Sequence, residues 1–156
     1  MTQTMPVPST RPHPGRWVTG LTLLSAGAAA TVVVAALPFI APFRAVLAAH
    51  VAAGYPAYSP EAIDTAVAAY TGILVTVGAI GLVGWIASAW AAYRDSRIAR
   101  PLMAVLLTLG LVVAVTGLTM RDTSGDVGLA PMFGWMLLGL CAVGAAALAV
   151  WRREKA

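Results

Sequence analysis

The sequence predicts an all-α integral membrane protein, a four-helix bundle with a short interfacial helix on its extracytoplasmic side, and three observations carry that expectation. The 156 residues are 60% hydrophobic and only 10% charged, with a mean hydropathy of +0.83, a balance too apolar for a domain whose surface faces water. Asp, Glu, Lys and Arg are missing from 17–43, 65–93, 101–120 and 127–151, and each stretch reaches the roughly 20 residues a helix needs to cross about 30 Å of hydrocarbon. None alternates apolar with polar residues as a barrel strand must, whereas a helix satisfies its backbone groups internally.

Residues 1–15 hold four prolines and no apolar periodicity, which predicts a disordered tail. Residues 16–156 then form a single membrane domain with spans at about 17–40, 66–93, 101–120 and 131–151. The first apolar run outlasts the hydrophobic stretch of about 7–15 residues in a signal peptide, and no A-x-A site closes it, so it is read as a retained helix. Residues 41–59 make the longest outer connection. Within it Phe43, Val46, Leu47, His50 and Val51 recur at helical spacing, predicting a short helix lying at the membrane interface. Pro38 and Pro42 bend the chain into this helix, and Gly54 with Pro56 ends it.

Ser59, Pro60 and Glu61 form a helix start, with a side-chain cap, a proline in the first turn and an acid at the positive end, where Asp64 also lies. From Pro60 to Tyr93 a helix would be about 50 Å long at 1.5 Å per residue, so its first turns are expected to rise out of the hydrocarbon against the 43–53 segment. The RDSRIAR loop is short, which predicts antiparallel packing of the second and third spans. RDTSGDVGLA forms a polar outer turn tightened at Gly125, and Pro131 opens the last helix.

Orientation follows from the basic residues. Arg11, Arg16, Arg94, Arg97, Arg100, Arg152, Arg153 and Lys155 fall on one side, against Arg44 and Arg121 on the other, so the positive-inside rule places both termini in the cytoplasm. The net charge of +4 divides into +6 inside and −2 outside. These charges flank spans and form no aromatic-interleaved patch, so nucleic acid is not an expected partner; the lipid bilayer is. Trp17, Trp90, Tyr93 and Trp151 mark the inner headgroup level, and Tyr55, Tyr58, Tyr70 and Trp135 the outer one. Trp85 lies deeper and is expected to pack against another helix.

Helices in lipid associate through the close approach of small residues. Gly20 and Gly27 in the first span, Gly78, Gly81, Gly84 and Ser88 in the second, Gly110 and Gly117 in the third, and Gly139 and Gly144 in the fourth are the candidate packing positions. Their plainest use is an internally packed bundle. A sharper use is a face that recruits another membrane protein or a second copy of the chain.

Chemistry is limited by what the spans lack. They contain no ionisable Asp, Glu, Lys, Arg or His, which disfavours ion pumps, proton-coupled exporters and voltage sensors. They offer no histidine to haem. The lone Cys141 cannot run a dithiol exchange and reads as a small packing residue. P-loop, G-x-S-x-G and H-E-x-x-H motifs are missing, and residues 122–126 depart from the calcium-loop pattern. No catalytic, cofactor-binding or metal-binding residue is assigned.

What remains is an outer polar cluster of Arg44, His50, Glu61, Asp64, Arg121, Asp122 and Asp126, read as ion pairs and helix caps that tie the loops together. The expectation for function is a non-enzymatic accessory, assembly or interaction subunit of the bacterial inner (plasma) membrane, without a cofactor. The alternative is a passive or lipid-like substrate transporter, with Thr19, Thr22, Thr76, Thr108 and Thr116 lining a path between helices.

Overall fold

Helices form where the charge-free stretches lie. In the computed structural model the described residues are 14–94, 96–121 and 129–152, the side chains of 14–17 and 152 excepted. The predicted tail therefore lies almost wholly outside the described residues, as do Asp122 and Asp126 of the second outer loop. Among the described residues the chain forms five α-helices: α1 (Pro14–Ala36), α2 (Ala41–Gly54), α3 (Pro60–Tyr93), α4 (Ala99–Thr119) and α5 (Pro131–Arg152). Four of them, all but α2, are long and apolar enough to cross a membrane. The protein is a multi-pass, all-α membrane bundle.

Proline sets the joints. Pro38 sits in a short 3-10 turn, Leu37–Phe39, after which Ile40 is extended and Pro42 occupies the first turn of α2. α2 ends at Gly54, where the Tyr55 amide donates to the Val51 carbonyl. α3 starts as its sequence demands: the Ser59 hydroxyl accepts from the Ala62 amide at 3.3 Å, with Pro60 behind it. At 34 residues it runs about 51 Å. Its outer half carries α2, through Leu47 and Val51 packed with Val67, Ile63, Ala66 and Tyr70.

The four long helices alternate in direction, each antiparallel to the next, and close a ring. α1 packs broadly against both α3 and α5, and α4 against α5, while α3 and α4 touch sparsely. The expected pairing of the second and third spans is therefore present but loose. Two cores result. One, at the α2 end of the bundle and called outer for that end, joins Leu47, Val51, Val67, Leu74, Ala130 and Phe133, so the start of α5 and the residue before it meet α2 and α3. The inner one joins Leu24, Ala92, Met103, Ala147, Leu148 and Trp151.

Two aromatic residues depart from or sharpen the expected pattern. Trp151 does not mark the headgroup level; it is buried in the inner core, its indole lying where a Cβ on Gly20 would stand. The indole N–H has no acceptor among the described residues. Trp85 behaves as expected of a deep tryptophan. Its ring lies over Gly27, and its Nε1–H donates to Thr31 Oγ1 at 2.9 Å, while that hydroxyl donates to the Gly27 carbonyl. Trp90, Tyr93, Trp135 and Tyr58 are exposed, as residues of an aromatic belt are.

Candidate functional site

Within the outer polar cluster, Arg44 and Asp64 form an ion pair. Arg44 on α2 donates to Asp64 on α3 at 3.2 Å, both side chains well exposed, which ties the short helix to the long one at small energetic gain. Glu61 sits exposed in the first turn of α3, at the helix's positive end. His50 is half-buried on α2 and Arg121 exposed after α4. Among the described residues no group of three His, Cys, Asp or Glu side chains could hold a metal. Beside the Arg44–Asp64 pair, apolar contacts of Leu47, Val51 and Phe133 join α2, α3 and the start of α5.

The glycines divide into two kinds. Some admit a large neighbour or a close helix: a Cβ at Gly27 would lie 2.5 Å from Trp85, at Gly78 2.6 Å from the Ala35 methyl, and at Gly134 2.5 Å from Leu118. Gly134 escaped the sequence reading, since its partner lies on another helix. Gly117 is intermediate, with Leu129 at a tight 3.3 Å, and the others meet ordinary contacts: Gly81 with Thr31 at 3.5 Å, Gly84 with Leu106 at 3.4 Å, Gly110 with Cys141 at 3.4 Å and Gly144 with Leu107 at 3.4 Å. Gly139 faces nothing within 4 Å, so it is not an internal packing position.

Between the two cores these small residues leave a cleft of about 230 Å³. Gly78, Gly81, Gly84, Gly110 and Gly144 all line it, with Trp85 and Ser88 toward the inner end and Leu74 toward the outer. The lining residues from α1 and α5 are buried or half-buried, whereas Ile80 of α3 and Leu109 and Val113 of α4 are exposed. The cleft therefore opens sideways, between the two helices that touch least. Its wall is hydrocarbon apart from Ser88, Cys141, Met103, Trp85 and Thr31, and the Thr31 hydroxyl is engaged with Trp85 and Gly27.

The threonines expected along a path do not border this cleft. Thr22, Thr76 and Thr108 donate to the carbonyls of Val18, Gly72 and Ala104, one turn back on their own helices, and all three are exposed. Thr19 and Thr116 are exposed as well. A helix hydroxyl satisfied in this way needs no partner helix.

No family model, no curated protein and no solved structure matches this chain. Its geometry carries the functional reading. The remaining distinctive surface is the outward face of α5. From Met136 to Trp151 its exposed positions are Gly139, Ala142, Ala145, Ala146 and Ala149, every one Gly or Ala. On the adjoining α1, exposed residues from Thr19 to Ala29 are Thr19, Thr22, Ser25, Ala26 and Ala29. α4 differs sharply, exposing Val105, Leu109, Leu111, Val112, Val113 and Val115.

Proposed function

We propose that this chain is a non-enzymatic accessory or assembly subunit that acts by binding inside the bilayer, its α5 face receiving a helix of another membrane protein or of a second copy. The observation that carries the reading is the run Gly139, Ala142, Ala146 and Ala149, exposed along one helix and free of bulky side chains. A smooth ridge of this kind lets a foreign backbone approach closely enough for dispersion and Cα–H contacts to replace lipid, the main source of helix association where the hydrophobic effect is missing. The excess of basic residues beside the inner ends supports a bacterial inner membrane with both termini in the cytoplasm.

The test is gentle detergent extraction of the tagged protein from its native membrane, followed by native mass analysis and identification of what co-purifies. A stoichiometric complex that is lost in Ala142→Leu and Ala146→Leu variants, with the bundle still folded, is the expected result. Isolated monomers under all extraction conditions, backed by an absence of crosslinked species in the membrane, contradict the proposal.

A further inference from the structure

The glycine-lined cleft runs toward the basic loop between α3 and α4. Leu74 and Ser88, both lining the cleft, lie 14 residues apart on α3, which makes the groove about 21 Å long at 1.5 Å per residue. It runs along the helices and ends near the α3–α4 turn. Ala91, Ala92 and Ala99 are buried there, with the Ser96 amide donating to the Ala91 carbonyl and the Ala99 amide to the Ser96 carbonyl. That turn carries three arginines. Arg100 precedes the cleft-lining Met103 by three residues, about 4.5 Å along the axis, and Arg94 follows Ser88 by six, about 9 Å. Arg94 lies over the Trp90 ring, 4.4 Å from its centroid. Among the described residues no acidic side chain pairs with Arg97 or Arg100; Asp95, the one acid of the loop, lies outside them.

We infer that this is a binding site for one anionic phospholipid of the leaflet on the arginine side, with an acyl chain in the α3–α4 cleft and the phosphate at Arg97 and Arg100. Three features select this occupant. The mouth, at Ile80, Leu109 and Val113, opens to lipid at hydrocarbon depth. The wall offers water few polar partners, Ser88 and Cys141 beside a Thr31 hydroxyl already engaged, whereas a buried water uses two to four. The charge beyond the Ser88 end of the cleft is positive and lies at the end of the spans, the level where polybasic segments attract anionic lipids. A free anion would use the arginines and leave the cleft unexplained; an apolar helix would leave the arginine charge unmatched. The inference is independent of the α5 face.

The experiment is native mass spectrometry of the full chain in detergent, titrated with phosphatidylglycerol or with phosphatidylcholine of the same chains. One phosphatidylglycerol per chain is expected to be retained preferentially. Arg97→Gln with Arg100→Gln should weaken its binding roughly thirtyfold, at about 1 kcal/mol for each arginine near the surface, and leave phosphatidylcholine unchanged. Gly81→Leu, which fills the cleft, should weaken both lipids. Equal retention of the two lipids, or displacement of phosphatidylglycerol by the chain-free headgroup glycerophosphoglycerol, overturns the inference, as does a folded Gly81→Leu that binds normally. If Gly81→Leu does not fold, the unaltered chain decides. Trp85 emission, taken as the difference from Trp85→Phe, should be quenched by phosphatidylglycerol brominated on its chains, and no quenching overturns the inference.

Discussion

The outer core and the middle of the bundle are built on the same helices, yet one is solid and the other hollow. At the outer end Leu47, Val67 and Phe133 are fully buried, each a branched or aromatic residue reaching across from a different helix. In the middle, Gly78, Gly81 and Gly84 on α3 face Gly110 on α4 and Gly144 on α5 around a common space. The difference teaches that a glycine in a membrane helix brings helices together only when something large or close stands opposite. Gly20 and Gly27 have Trp151 and Trp85. Gly81 has only the edge of Thr31, and its missing side chain becomes volume.

The solid end is where substitution should cost most. Phe133→Ala removes a fully buried ring between α2, α3 and α5, and a loss of about 3–5 kcal/mol is expected, read as a lowered unfolding midpoint in detergent. Hydrogen exchange should show α2 loosening first, since its anchor is gone. Uniform loosening of all five helices would erase the distinction between the two regions.

At the border between solid and hollow stands the Trp85–Thr31 bond. Thr31→Val keeps the volume but takes the acceptor from a partly buried indole N–H, for an expected loss of about 1 kcal/mol. The same denaturation series checks it, and a neutral result would mean that Trp85 is held by Gly27 alone. Ser59→Ala should also cost about 1 kcal/mol through the lost cap of α3, with fraying confined to residues 60–63 by hydrogen exchange. Arg44→Ala should cost less than about 1 kcal/mol, because its pair with Asp64 is solvent-exposed; a larger effect would move weight from the apolar outer core to the charges.

The spans were legible because crossing hydrocarbon imposes length and forbids charge, constraints visible one residue at a time. Joints were legible for the same reason: Pro38, Pro42 and Ser59-Pro60 act locally, and α2 and α3 begin where they dictate. Which glycines pack was not legible, because Gly20 meets Trp151 and Gly134 meets Leu118 across helices, and nothing in the local pattern names the partner. Trp151 was misplaced for that reason, its position at a span end being equally suited to a headgroup or to a core. The outer cluster was half legible. Arg44 and Asp64 do meet, and the apolar contacts of Leu47, Val51 and Phe133 beside them are ones no charge pattern announces. Hydroxyls on helices announce no neighbour, because a threonine can satisfy itself on its own backbone, as Thr22, Thr76 and Thr108 do.

Solid and hollow are separated most directly by one pair of variants, Gly27→Ala and Gly81→Ala, unfolded side by side in the same detergent. A methyl at Gly27 meets the Trp85 ring at 2.5 Å, while one at Gly81 meets Thr31 at 3.5 Å. Overpacking should therefore destabilise the first by about 1–3 kcal/mol. The second should be unchanged or up to about 1 kcal/mol more stable, since alanine favours the helix and fills empty space. Equal losses at the two positions would contradict the hollow middle and the cleft built on it.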